Sequence, residues 1–165
     1  MKMPAIHLLT DADLPAYRAL LLPGLVTDAA SFRIAPPDEE HAPFPTRNQP
    51  DSFTLGAYVG DALAGIVSFQ REGTDRVKLR HKGLLLRMYV SPAFRGQGIA
   101  GLLIQDLIDR VRTLGDIEQI NLTVVTTNPA KRLYERFGFV PFSLERRAIK
   151  WQGGYFDEET MVLFF

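Results

Sequence analysis

The sequence predicts a mixed α/β layer structure: a largely antiparallel sheet of six or seven strands, with one parallel pair near its centre and helices on both faces. Three observations lead there. Two strand-like stretches, 53–59 and 62–69, are separated only by Gly60-Asp61, the pattern of an antiparallel hairpin. The run Leu84-Leu85-Leu86-Arg87-Met88-Tyr89-Val90 is almost continuously apolar, as suits a strand covered on both faces. Between it and a second strand-like stretch, 120–125, lies the helical stripe Leu102, Leu103, Leu107, Val111 and Leu114, so the two strands are expected to run parallel.

The remaining elements follow in order. Ile6-His7-Leu8-Leu9 reads as a short first strand, and Asp11 is placed to cap a helix through Leu14, Tyr17, Leu20 and Leu21 that Pro23-Gly24 ends. From Pro36 to Ser52, five prolines and scattered charges leave neither periodicity, and a connection of this length predicts a loop, with a lid over a pocket favoured slightly over disorder. After the hairpin, a charged turn around Gly73-Thr74-Asp75-Arg76 leads to Lys82-Gly83 and the apolar run, which Ser91-Pro92 ends. Gly115 closes the long helix. Asn128-Pro129 supplies an N-cap and a first-turn proline for a short helix through Leu133 and Phe137, ended by Gly138. Phe139–Phe142, Arg147–Trp151 and Thr160–Phe164 complete the sheet, the last two joined through Gly153-Gly154.

Composition narrows the function classes. The 165 residues, 46% of them hydrophobic, suit one domain spanning 1–165 with a core of its own. Nineteen basic and nineteen acidic residues cancel, so no long-range field draws the chain to nucleic acid or to an anionic membrane. With no cysteine there is no disulfide, no thiolate metal site and no cysteine nucleophile. His7, His41 and His81 lack metal-ligand spacing, and no metal is expected. The opening residues are too short an apolar run for a signal peptide and nothing approaches a membrane span, so the expected location is cytoplasmic.

The segment richest in chemistry is Arg95-Gly96-Gln97-Gly98-Ile99-Ala100-Gly101, a glycine-rich turn between strand and helix. The first amides of a helix lack internal partners and lie at the positive end of its dipole, and glycine lets a ligand approach the backbone, so a diphosphate is the natural guest. Gly96, Gly98 and Gly101 also spell the dinucleotide fingerprint. A Rossmann site, however, wants those glycines straight after the first strand and an acidic residue about 20 positions on, at the end of the second strand. Here the following strand ends in Val125-Thr126-Thr127, and NAD(P) binding is the weaker alternative.

Taken with its flanks, this segment resembles the GCN5-related N-acetyltransferase superfamily. Arg95, Gly98 and Ala100 match the signature Arg/Gln-x-x-Gly-x-Gly/Ala, Leu86–Val90 with Ser91-Pro92 is similar to the fourth strand, and 128–139 looks like the later Asn…Ala…Leu-Tyr…Gly-Phe motif. The resemblance implies a sheet whose central parallel pair splays apart, with acetyl-CoA entering at the splay. Amides of Gly96, Gln97, Gly98, Ile99, Ala100 and Gly101 would hold the pyrophosphate, with Arg95 adding charge or fixing the loop. Met88, Tyr89 and Val90 would pair with the pantetheine arm, and the Met88 amide would polarise the thioester carbonyl. Asn128 would touch the pantetheine or cap its helix, and Tyr134 would protonate the departing thiolate.

The resemblance thus implies an acetyl-CoA-dependent N-acetyltransferase acting on a primary amine by direct attack in a ternary complex; the acceptor would be a small-molecule amine, a peptide N-terminus or a lysine. An amine of pKa about 10.4 arrives protonated and needs a base. The family's glutamate in the early fourth strand is replaced here by Gly83-Leu84-Leu85-Leu86, which leaves Glu72, His81 and Glu145 as candidates and a catalytically silent acyl-CoA-binding module as the alternative. Arg87, alone among apolar neighbours, is expected either to form an ion pair with Glu72 or another sheet carboxylate, or to face the acceptor cleft and bind a substrate carboxylate. Trp151, Tyr155, Phe156, Phe164 and Phe165 serve either the core or a homodimer contact.

Overall fold

In the computed structural model, which describes residues 2–165, the apolar runs assemble into one seven-stranded sheet. Its strands are β1 (Ala5–Leu9), β2 (Ser52–Val59), β3 (Ala62–Arg71), β4 (Lys82–Val90), β5 (Gln119–Val125), β6 (Val140–Trp151) and β7 (Gly154–Phe164). They lie in the order β1-β2-β3-β4-β5-β7-β6, every neighbour antiparallel except β4 and β5. A single parallel pair is not a doubly wound sheet, and the dinucleotide architecture falls away.

Helices cover both faces because each face is apolar. On one side α3 (Ile99–Leu114) buries Ile99, Leu103, Ile104, Leu107, Ile108 and Val111 against Leu55, Val67, Phe69, Leu85, Ile120 and Leu122, joined by Tyr134 of α4 (Ala130–Arg136). On the other, α1 (Leu14–Thr27) buries Tyr17, Leu21 and Leu25 against Leu9, Ile66 and Tyr89.

Three sequence expectations change on folding. Asp11 lies in a short 3-10 turn, and the carboxylate of Asp13 accepts the Thr10 amide at 2.8 Å. Pro23-Gly24 does not end α1; the helix runs to Thr27, with the Asp28 amide bonded to the Gly24 carbonyl at 2.8 Å. A proline costs an internal helix one amide bond, and burial of Leu21 and Leu25 offsets it. The proline-rich 36–52 stretch is not structureless. It opens with α2 (Pro36–Glu39) and buries Glu39 and Thr46, whose hydroxyl bonds Thr54 at 2.8 Å, while Thr54 in turn bonds Ser68 at 2.7 Å.

At the far edge β6 and β7 are longer than the sequence suggests. Gln152 and Gly153 both take positive φ, 48° and 77°, the two-residue turn of a tight hairpin, and the ladder continues from Trp151–Gly154 down to Val140–Val162. The edge strand β6 exposes Val140, Phe142 and Leu144. Trp151, Tyr155, Phe164 and Phe165 stay on the surface as well; Tyr155 and Phe165 are covered instead by cations, Arg147 lying 5.0 Å from the Tyr155 ring and Arg112 5.2 Å from Phe165.

Helix α1 comes close to the sheet at Gly24, where an added Cβ would come within 2.4 Å of the Tyr89 ring. Alanine gains about 1 kcal/mol over glycine inside a helix, but overpacking a closed contact costs about 1–3 kcal/mol. Gly24→Ala is therefore expected to lower the urea midpoint rather than raise it, as an exposed Gly→Ala change in a helix would.

Candidate active site

The central strand β4 is irregular where the sequence placed a cation. Ile66 pairs with Tyr89 and Ser68 with Leu86, so Arg87 and Met88 together stand opposite Val67. This is a β-bulge, and Arg87 adopts the left-handed φ of 58° that its extra residue demands. The bulge reverses which face the alternation serves: Leu85 packs into the α3-side core, whereas Tyr89 packs under α1. It also takes a residue out of the β3 ladder at the point where β4 loses its other neighbour.

That loss is the second irregularity. β4 and β5 pair only from Lys82–Gln119 to Leu84–Asn121. Beyond Leu84 the strands diverge, and a cavity of about 360 Å³ opens between Leu84–Met88 and Leu122–Val125. Its walls come from both faces of the sheet. Asn128 and Tyr134 line it on the α3 side, and Ser31–Ile34 line it on the α1 side, where Phe32 and Ile34 pack against the α1 core. The gap is a passage through the sheet.

The glycine-rich turn lies at the end of β4. Gly96 and Gly98 have φ of 77° and 78°, and a Cβ at either would meet nothing within 4 Å. Glycine is required there by backbone conformation, and the space above the loop is open. The first internal bond of α3 runs from the Leu102 amide to the Gly98 carbonyl at 3.1 Å, which leaves the amides of Ile99, Ala100 and Gly101 without partners inside the helix. Arg95 braces this turn: its Nε donates to the Val90 carbonyl at 3.0 Å, a terminal nitrogen meets Asp28 at 2.9 Å, and the guanidinium lies 5.6 Å from the Tyr89 ring.

Asn128 and Tyr134 share the α3-side wall of the cavity. The Asn128 Oδ1 accepts the Ala130 amide at 2.9 Å, capping α4, while the residue also lines the cavity. Tyr134 is buried, edge-on to Phe139 with ring centroids 6.0 Å apart, and burial pushes its phenol above the ordinary tyrosine value.

Arg87 lines the cavity too, and its partner is neither Glu72 nor another sheet carboxylate. It binds the buried Glu39 of α2 at 2.9 Å, while Glu72 pairs with Lys82 at 3.7 Å at the opposite end of β4. Glu72, His81 and Glu145 are all absent from the cavity wall. The carboxylate that does line it is Glu158 of β7, which sequence reasoning passed over. Glu158 is held by Arg33, whose Nε lies 2.9 and 3.0 Å from its two oxygens. Glu39 and Glu158 sit in acidic runs, 38–40 and 157–159; the available signal for Glu158 is that it lies two positions before Thr160, where the sequence starts the last strand, and would share that residue's face if the strand began earlier. Among the described residues no group of three or more side chains is placed to hold a metal ion.

The sequence pattern described as the acetyltransferase (GNAT) family matches residues 21–139. Solved structures share the whole architecture. A GNAT-family acetyltransferase from Streptococcus pneumoniae superposes with a TM-score of 0.83 at 22% identity, covering 99% of this chain and 100% of that one. An N-acetyltransferase from Staphylococcus aureus Mu50 gives 0.84 at 20% identity over 99% of both chains. A candidate acetyltransferase from Salmonella typhimurium, solved with its cofactor acetyl-CoA, gives 0.80 at 20% identity over 99% of this chain and 94% of that one. No curated protein matches.

Truncating Arg87 leaves Glu39 buried without its cation. Arg87→Met is expected to cost about 3–5 kcal/mol, the usual penalty for an orphaned buried charge, and the double variant Arg87→Met/Glu39→Gln is expected to recover much of it; urea unfolding of wild type and the two variants measures both.

Proposed function

Because the chain belongs to the GNAT acetyltransferase family, we propose that it transfers the acetyl group of acetyl-CoA to a primary amine by direct attack within a ternary complex. The observation that carries this reading is the passage through the sheet at the β4/β5 divergence, lined by Asn128 and Tyr134 towards α3 and by Arg33 and Glu158 towards α1, on the strand that leads into the glycine-rich turn. Two substrates entering from opposite faces would meet at Met88.

Each residue has a task that its surroundings suit. The free amides of Ile99, Ala100 and Gly101, with the open space over Gly96 and Gly98, fit a pyrophosphate. Arg95 is engaged by Val90 and Asp28, which favours the loop-fixing role over direct charge donation. Past Leu84, the edge of β4 facing β5 has no strand partner, so an extended pantetheine arm would add to Met88, Tyr89 and Val90 as a strand adds to a sheet. The bulge takes Met88 out of the regular β3 register, and its amide would donate to the thioester oxygen as negative charge gathers in the transition state.

Tyr134 would deliver a proton to the departing sulfur. Its raised pKa keeps the phenol protonated throughout the neutral range. A thiol of about 8.5 needs modest help to leave, so the loss on removing the hydroxyl should sit at the low end of general-acid effects, about 10²-fold in kcat. Tyr134→Phe is expected to show that loss with an unchanged KM for acetyl-CoA, and the wild-type rate is expected to show no fall from tyrosine ionisation below pH about 10. Equal kcat in the two proteins would remove the acid role.

The coenzyme site is tested by calorimetric titration with acetyl-CoA, coenzyme A and NADH. Wild-type protein is expected to bind both CoA species and not NADH, and Gly98→Trp, whose indole would fill the open space over the turn, is expected to lose both. Binding of NADH alone would overturn the reading. Tight CoA binding with no thiol release across the free amino acids, spermidine, n-butylamine and an alanine-initiated peptide would favour the silent binding module. On the acceptor side, if Arg87 binds a substrate carboxylate, Arg87→Met will raise KM for acidic acceptors and leave neutral ones alone.

A further inference from the structure

The acetyl-transfer reading leaves open which group takes the proton of the incoming ammonium. We infer that Glu158 receives the acceptor's ammonium and removes its proton, and that Arg33 occupies this ammonium site in the free enzyme. The inference rests on the acetyl-transfer reading and deepens it.

Strand pairing puts Glu158 on the acceptor side. Leu122 and Met161, paired across β5 and β7, belong to the α3-side core. Three positions along, the paired Val125 and Glu158 face the other way, towards α1. The neighbouring Glu159 faces the α3 side and is taken by Lys131 of α4 at 2.6 Å. Glu158 therefore lines the same cavity as Tyr134 but from the opposite face of the sheet. A nucleophile reaching a thioester held on the α3 side would pass it.

Among the described residues no other carboxylate lines the cavity. Glu39 is sealed behind Arg87, Glu72 lies by Lys82, and Glu145, paired with Glu158 on β6, is exposed.

The pair with Arg33 is lopsided in a way that suits exchange. The Glu158 side chain is 3% exposed, whereas that of Arg33 is 62% exposed. A guanidinium that reaches in from solvent loses little on returning to water. A buried carboxylate left alone loses a great deal, so it holds a cation at all times. An alkylammonium brings the same charge and the same kind of donor, and it can take the place that Arg33 gives up.

The proton balance is complete. The acceptor R–NH3+ displaces Arg33 and gives one proton to the Glu158 carboxylate, from which it passes to solvent. The free amine forms a bond to the acetyl carbon, and the C–S bond breaks. The second nitrogen proton is lost as the amide forms and replaces the one that Tyr134 donates to sulfur. The products are R–NH–acetyl, coenzyme A as its thiol, and one proton.

Two variants separate this role from a structural ion pair. Glu158→Gln is expected to bind acetyl-CoA as wild type does in calorimetry, while kcat/KM for the fastest amine of the panel above falls by about 10²-fold or more. Arg33→Ala removes the competing cation, so its KM for that amine is expected to fall. Its melting temperature is expected to rise in n-butylammonium chloride relative to potassium chloride at equal ionic strength, a rise smaller in wild type, where Arg33 competes, and absent from Arg33→Ala/Glu158→Gln. Undiminished turnover in Glu158→Gln would overturn the inference and leave acetyl transfer standing. So would an Arg33→Ala variant with a raised acceptor KM and no ammonium response, the mark of a pair that only ties the 28–39 segment to the sheet. Failure of the wild-type protein to bind acetyl-CoA would instead bring down the acetyl-transfer reading and this inference with it.

Discussion

The structure turns on how β4 ends its partnership with β5. A central strand is expected to have both edges paired, because a buried amide or carbonyl without a partner is costly. Here the parallel ladder stops at Leu84–Asn121, and within three residues the antiparallel ladder to β3 is interrupted by the bulge at Arg87 and Met88. Everything near the site follows from those two departures. The bulge turns Tyr89 to the α1 side, where Gly24 lets the helix come down onto its ring, and the divergence opens the passage that reaches both faces of the sheet.

A left-handed φ on an arginine and an unpaired strand edge both cost free energy, and the surrounding contacts hold them in place. The contacts share a pattern. Three arginine–carboxylate pairs tie the end of α1 and the connection after it to the sheet and to the turn that follows β4: Asp28 with Arg95, Arg33 with Glu158, and Glu39 with Arg87. Each joins residues far apart in sequence, and each lies next to a part of the candidate site. Their exposures differ, and so do their roles. Glu39 and Arg87 form the most enclosed pair and fix the bulge. Arg95, half exposed, braces the glycine turn from the end of β4. Arg33 is the most exposed of the three cations and lines the cavity beside Glu158. A net charge of zero conceals this arrangement, since the pairs cancel one another in the total.

Much of the fold was legible because its signals are local. The Gly60-Asp61 turn, the apolar run of β4, the stripe of α3 and the Asn128 cap each depend on residues a few positions apart, and each forms where the sequence puts it. The glycine turn was equally plain, since positive φ at Gly96 and Gly98 is a demand that the backbone makes on residue type. The misreadings are those in which distant contacts outweigh a local preference. Pro23-Gly24 reads as a helix end until Tyr89 fills the space beneath it, and 36–52 reads as an open loop until Arg87 supplies a partner for Glu39.

By itself, then, the sequence determined the order of strands and helices, the parallel pair, the glycine-rich turn and the motifs that mark the family, because propensity, periodicity and turn chemistry act over short spans of chain. It also showed that β4 lacks the expected glutamate, without indicating where a carboxylate would come from instead. The tertiary structure decided that. Glu158 enters the cavity because β7 pairs with β5 in a register that points it towards α1, and Arg33 meets it across 125 positions of chain. No local pattern encodes such a meeting: whether an acidic residue in a charged run is solvated or buried depends on which strand lies beside it and which cation the fold brings within reach.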